Sequence, residues 1–178
     1  SLPTAVQMPV RMMESGPVAG VIGAAKVASA LGHPQAISFD MGGTTAKVSL
    51  TRNGNAEISN HYYIGGYNTG HPVMLPVVDI VEVGSGGGSI AWLDGAGGLK
   101  VGPVSSGALP GPACYGLGGT KPTVTDANLI LGRLAEESFL GGEMRLDRTA
   151  AMAAVQNHVA GPLEMDINQA AVAIVRIA

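Results

Sequence analysis

Residues 39–45 read Phe39-Asp40-Met41-Gly42-Gly43-Thr44-Thr45. An apolar stretch reads as a buried strand that ends in a carboxylate, and a Gly-Gly-Thr-Thr turn follows. Paired glycines let backbone amides come close to phosphate oxygens, and threonine hydroxyls add donors. The carboxylate can hold a magnesium ion, directly or through water. An ordinary hairpin turn with a solvated aspartate fits the same spacing equally well.

A second amide-rich stretch is Val83-Gly84-Ser85-Gly86-Gly87-Gly88-Ser89. It is not a dinucleotide fingerprint, because position 89 is serine where that pattern needs glycine. It is not a P-loop, since no lysine follows, nor a nucleophile elbow, since position 83 is valine. A loop that binds a carbonyl or an anion, or a flexible turn, remains. A third stretch, Pro110-Gly111-Pro112-Ala113-Cys114-Tyr115-Gly116, is followed by Pro122-Thr123-Val124-Thr125-Asp126-Ala127-Asn128. Cys114 as a nucleophile needs a base beside it; a buried, inert thiol is the expectation. Asp126 is explained by helix capping. Asp79, inside an apolar run, must find donors or a cation, or take up a proton. The four histidines, His33, His61, His71 and His158, stand at no metal-ligand spacing.

The elements that must position these residues follow from pattern. Ser15-Gly16-Pro17 opens a helix and Leu31-Gly32 closes it. Its Gly16, Gly20, Gly23, Ala24 and Ala28 form a small-residue face that predicts a buried helix. Gln35 to Leu50 predicts two strands around the Gly-Gly turn. Asn53-Gly54 predicts a hairpin, with Glu57 to Ile64 returning as the third strand of an antiparallel meander. Gly65 to Gly70 is read as loop. A hairpin is expected around Asp94 to Gly98, then a long loop from Gly102 to Lys121. Helices are expected over Thr125 to Leu134, capped by Thr125 or Asp126, and over Asp147 to Ala160, capped by Asp147. A last one starts at Asp166 or Asn168.

Composition narrows the class. The chain has 178 residues, 13% charged and 46% hydrophobic, with net charge −3. That suits a single folded domain spanning residues 1–178 and argues against disorder and against a nucleic-acid surface. One cysteine excludes an internal disulfide framework and fits a cytoplasmic location. No stretch reads as a membrane span or a signal peptide. The 27 glycines are about twice the usual share. The chain opens at Ser1-Leu2-Pro3 and closes on an unfinished helical pattern, so an excised piece of a larger protein is expected.

Taken in order, these segments resemble the central part of the hydantoinase A / 5-oxoprolinase family, in particular its N-methylhydantoinase A branch. The resemblance rests on Ser15 to Ala24, Phe39 to Val48, Val77 to Trp92, Val101-Gly102-Pro103, Pro110 to Gly116, Pro122 to Arg133 and Phe139 to Met144. It implies a mixed α/β, ribonuclease-H-like or actin-like ATPase lobe, with an antiparallel meander followed by helices, in a two-lobed protein. The implied activity is ATP-dependent opening of a cyclic amide (hydantoin, N-methylhydantoin or 5-oxoproline) through a phosphorylated amide, with ATP and Mg2+ in the full-length protein. A hydantoinase B-type partner subunit or domain is implied as well. By the same resemblance Asp40 is the catalytic carboxylate, and Gly42, Gly43, Thr44 and Thr45 hold phosphate. Gly86, Gly87, Gly88 and Ser89 match the family's glycine loop. Many members carry Ser-Thr-Asp after Gly-Gly-Thr; here Thr45-Ala46-Lys47 stands instead. A second carboxylate is thus missing, and Lys47 either lies near phosphates or points to solvent. The family's N-terminal lobe and its later glycine-rich segment are also absent, so these residues alone do not complete a two-lobed ATP site and the isolated piece is expected to be inactive. A sugar-kinase-like phosphotransferase lobe and a non-catalytic assembly module are the alternatives.

Overall fold

The computed structural model describes residues 2–64 and 70–178. The expected loop at Gly65 to Gly70 thus lies, but for its last residue, outside the described residues. The chain divides into two compact units, one of residues 1–40 and 47–82, the other of residues 41–46 and 83–178.

The first unit begins with helices α1 (Leu2–Gln7) and α2 (Ser15–Ala30). Strands β1 (Ala36–Met41), β2 (Ala46–Arg52) and β3 (Asn55–Ala56) lie side by side in that order. Asn53 and Gly54 both take positive φ, 52° and 71°, the geometry the Asn-Gly pair predicts for a two-residue hairpin. The expected third strand does not continue along β2. It breaks into β4 (Ile58–Ser59) and β5 (Tyr62–Ile64), which pair with β7 (Val77–Val78) and with β6 (His71–Val73). The switch occurs at Glu57, whose carbonyl accepts from the Asp79 N–H at 2.9 Å. Strand β8 (Val81–Val83) returns to pair with β2.

Helix α2 is not the buried helix its small-residue face predicts. Only Val21 and Ala25 are buried, and a methyl group at Gly16, Gly20 or Gly23 would meet nothing within 4 Å among the described residues. Nor is β1 a buried strand: Ser38 is covered, while Ile37 and Phe39 are 68% and 63% exposed. The covered side of this sheet is polar, carrying Ser38, Ser49 and Thr51. Two of those hydroxyls donate to carbonyls, Ser49 to Asp79 at 2.7 Å and Thr51 to Ala36 at 3.2 Å, which removes the cost of burying them.

The second unit holds the hydrophobic core. Strands β9 (Ser89–Leu93) and β10 (Leu99–Ser105) form the expected antiparallel hairpin. Asp94 closes its turn by accepting from the N–H groups of Ala96 and Gly98 at 3.0 and 2.9 Å. Helices α3 (Val124–Ile130), α4 (Arg148–Val155) and α5 (Ile167–Ile177) follow, α4 running into a π-helical turn over Gln156–Ala160. Leu129, Val155 and Ile174 are fully buried between them, each contributing about 1.5–3 kcal/mol by leaving water. Asp147 and Asp166 cap α4 and α5 as the sequence predicts. Helix α3 starts earlier and ends sooner than predicted. Its cap is Thr123, whose hydroxyl pairs with the Asp126 N–H while the Asp126 carboxylate accepts from the Thr123 N–H, a reciprocal box. The fold is mixed α/β, with antiparallel ladders followed by helices, as expected. No helix among the described residues is long and apolar enough to cross a membrane.

Candidate functional site

Asp40 is the penultimate residue of β1 and is exposed. In the second unit, residues 42–45 form a tight turn closed by the Gly42 N–H donating to the Thr45 carbonyl at 2.9 Å. Gly42, Gly43 and Thr44 are exposed. Among the described residues, the N–H groups of Gly43, Thr44 and Thr45 and both threonine hydroxyls have no partner.

The glycine loop lies directly behind this turn. The Gly87 N–H donates to the Gly42 carbonyl at 2.9 Å, and the Gly88 N–H to the Gly43 carbonyl at 2.7 Å. Ser105 adds a longer hydroxyl contact to the same Gly43 oxygen, 3.4 Å. A peptide unit is planar and trans, so its N–H points opposite to its C=O. With the Gly42 and Gly43 carbonyls aimed at the loop, the N–H groups of Gly43 and Thr44 aim away from it. These two neighbouring donors have no partner among the described residues.

The loop has no such amides to spare. Besides Gly87 and Gly88, the Gly86 N–H donates to the Ser89 hydroxyl at 2.8 Å, and the Ser89 N–H returns to the Gly86 carbonyl at 3.0 Å. Gly86, Gly88 and Ser89 are buried. The sequence brings these two stretches to notice separately; the structure joins them as a turn and its backing.

Other candidates resolve into structural roles. Lys47 forms an ion pair with Glu14 at 2.7 Å and a longer one with Glu82 at 3.6 Å. Desolvation by burial works to lower its pKa, but the Glu14 hydrogen bond and the two carboxylate charges outweigh it and leave the value raised. Cys114 is fully buried. Burial first, then the Asp126 carboxylate, pushes its thiol far up, which makes it a poor nucleophile. The buried Asp126 carboxylate accepts from the N–H groups of Ala113, Cys114 and Thr123 at 3.3, 2.8 and 2.8 Å, and from the Thr123 hydroxyl at 2.7 Å. It pins the Pro110 to Gly116 stretch onto α3. Asp79 is half-buried and takes part in pairing through its backbone. No group of three His, Cys, Asp or Glu among the described residues could hold a metal ion.

Pattern reading missed Thr125. Its N–H and its hydroxyl both donate to the Gly87 carbonyl, at 2.8 and 2.9 Å. The Thr-x-x-Asp spacing of Thr123 and Asp126 is the signal that places Thr125 inside the first turn of α3 rather than at its cap.

The sequence profile described as Hydantoinase/oxoprolinase matches residues 1–178, and the chain belongs to that family. It is 43% identical to the caprolactamase alpha subunit of Pseudomonas jessenii over 94% of this chain and 24% of that protein. It is 40% identical to the acetophenone carboxylase gamma subunit of Aromatoleum aromaticum, over 92% of this chain and 22% of that one. The crystal structure of the ATP-dependent caprolactamase from Pseudomonas jessenii superposes with TM-score 0.79 and 42% identity, over 92% of this chain and 23% of that one. The chain therefore spans about a quarter of the length of these relatives.

Proposed function

We propose that this chain is the central domain of an ATP-dependent cyclic-amide hydrolase, one that opens hydantoin, N-methylhydantoin, 5-oxoproline or a related lactam. The single observation that carries the reading is the pair of outward, unpartnered N–H groups at Gly43 and Thr44. Supporting it, a caprolactamase with matching sequence and fold is described as ATP-dependent. The whole activity belongs to a longer, two-lobed, actin-like protein, acting in the cytoplasm with a hydantoinase B-type partner subunit or domain; both relatives above carry subunit names.

The donor chemistry suits a nucleotide's phosphates: amides of Gly43, Thr44 and Thr45 and two hydroxyls. By the family resemblance, Asp40 is the catalytic carboxylate. The site suits a protein-held magnesium ion poorly, since no metal-binding cluster exists among the described residues. A magnesium ion would enter with the nucleotide's phosphates. When bound, ATP would supply a phosphoryl group to the amide oxygen, turning the resonance-stabilised ring carbon from a poor electrophile into one that water attacks, with the ring nitrogen departing as the amine and phosphate released on hydrolysis. The turn's amides bind and orient the phosphate without needing to reorganise.

The test is ADP release by the full-length protein given hydantoin, N-methylhydantoin, 5-oxoproline, caprolactam or a panel of sugars. ADP release coupled to ring opening of a cyclic amide supports the reading. Release driven by sugars alone overturns it in favour of a phosphotransferase.

A further inference from the structure

We infer that Gly86, Gly87, Gly88 and Thr125 are positioning residues: they set the direction of the Gly43 and Thr44 amides and do not themselves touch the ligand. The inference rests on the phosphate reading of that turn and assigns the glycine loop a different task from ligand binding.

Three observations carry it. The loop's N–H groups at Gly86 to Ser89 are all engaged within the protein. Its backbone is flush with the turn: a β-carbon on Gly86 would lie 2.7 Å from the Gly43 carbonyl carbon and oxygen and from the Thr44 nitrogen. One on Gly88 would lie 2.9 Å from the same oxygen. Both contacts are closer than real side chains tolerate, so any other residue would push the turn forward. Third, the loop is anchored from behind. Thr125 donates twice to the Gly87 carbonyl, and the Gly87 N–H, on the opposite side of that residue, donates to Gly42. A β-carbon on Gly87 would sit 2.9 Å from the Thr125 hydroxyl oxygen. The first turn of α3, itself locked by the Thr123–Asp126 box, is thereby tied to the turn through one residue.

Hydroxyl loss at Thr125 removes one of two donors from the Gly87 carbonyl. The expected signature is a rise in KM for ATP of about tenfold, the size of one net hydrogen bond, with KM for the cyclic amide unchanged. The experiment compares Thr125→Val, Thr125→Ser and Gly86→Ala in the full-length protein. It measures both KM values and, separately, hydrogen exchange at the Gly87 and Gly88 amides. Thr125→Val and Gly86→Ala raise KM for ATP and speed exchange at these amides, while Thr125→Ser restores both. A lowered kcat with both KM values and the exchange unchanged overturns the inference, as does Thr125→Ser behaving like Thr125→Val. If the wild-type protein does not use ATP, the phosphate reading has failed, and exchange alone decides. Opening of the Gly87 and Gly88 amides in Thr125→Val but not in Thr125→Ser supports the clamp; unchanged exchange overturns it.

Discussion

The N–H of Gly88 donates to the carbonyl oxygen of Gly43 at 2.7 Å. The two residues stand 45 positions apart, and the bond joins two of the chain's glycine-rich stretches. It turns the Gly43 carbonyl inward and therefore the Thr44 N–H outward. The turn keeps the free amides, and the loop behind it uses all of its own from Gly86 to Ser89.

The two kinds of glycine should respond differently to a methyl group. A β-carbon at Gly43 meets nothing within 4 Å, whereas at Gly88 it falls 2.9 Å from the Gly43 oxygen and 2.8 Å from the Ser105 hydroxyl. Gly43→Ala is expected to leave thermal stability within about 0.5 kcal/mol of wild type. Gly88→Ala is expected to cost about 1–3 kcal/mol. Chemical denaturation of the two variants checks this, and equal costs would contradict it.

Asp40 is exposed, so its substitution should spare folding. Asp40→Asn in the full-length protein is expected to lower ATP-dependent ring opening by about a hundredfold or more, with the melting temperature unchanged. Retained activity would favour the non-catalytic assembly reading.

Asp126 receives four hydrogen bonds in a fully buried position. Asn at 126 would bring an NH2 group against donors that need an acceptor. Asp126→Asn is expected to destabilise by about 2–4 kcal/mol, measured as a shift of the urea midpoint. A loss under about 0.5 kcal/mol would show that the carboxylate does not hold the Pro110 to Gly116 stretch.

Cys114 should be silent chemically. Its thiol is buried and its pKa lies far above the ordinary value. In native protein at pH 8 iodoacetamide is expected to leave Cys114 unmodified, and to label it fully once urea unfolds the chain. Mass spectrometry of the two samples distinguishes this from a reactive nucleophile, which would label in both.

Lys47 makes a pH-dependent contribution. Its folded pKa is raised above 10.5, so the stabilisation is fully present below about pH 10.5 and fades as pH rises through the folded value. Lys47→Met is expected to cost about 0.5–1 kcal/mol at pH 7. The gap between variant and wild type should narrow in strongly alkaline buffer; a constant gap would mean that the loss is one of packing.

Signals confined to a few neighbouring residues were legible in the chain. Asn53-Gly54 specifies its hairpin because both residues accept positive φ. Asp147 and Asp166 specify helix starts because a carboxylate satisfies amides only two or three residues on. The Gly-Gly-Thr-Thr turn was visible for the same reason. Three expectations failed where the outcome depends on what packs alongside: the burial of α2, the burial of β1 and the course of the third strand. The small-residue face of α2 predicted burial, yet a stripe of glycines says only that a neighbour can approach, not that one does. The run from Glu57 to Ile64 has strand character throughout, but its partners change at Glu57, and pairing across distance has no local mark.

By itself the amino-acid sequence determined the mixed α/β class, the caps of α4 and α5, and the turn with its donors. The tertiary structure decided which donors remain free. Amide direction depends on where each carbonyl finds its partner, and for Gly42 and Gly43 those partners are Gly87 and Gly88, far along the chain. Composition counts the glycines; only their contacts separate those that can offer an N–H to a ligand from those whose N–H is already used.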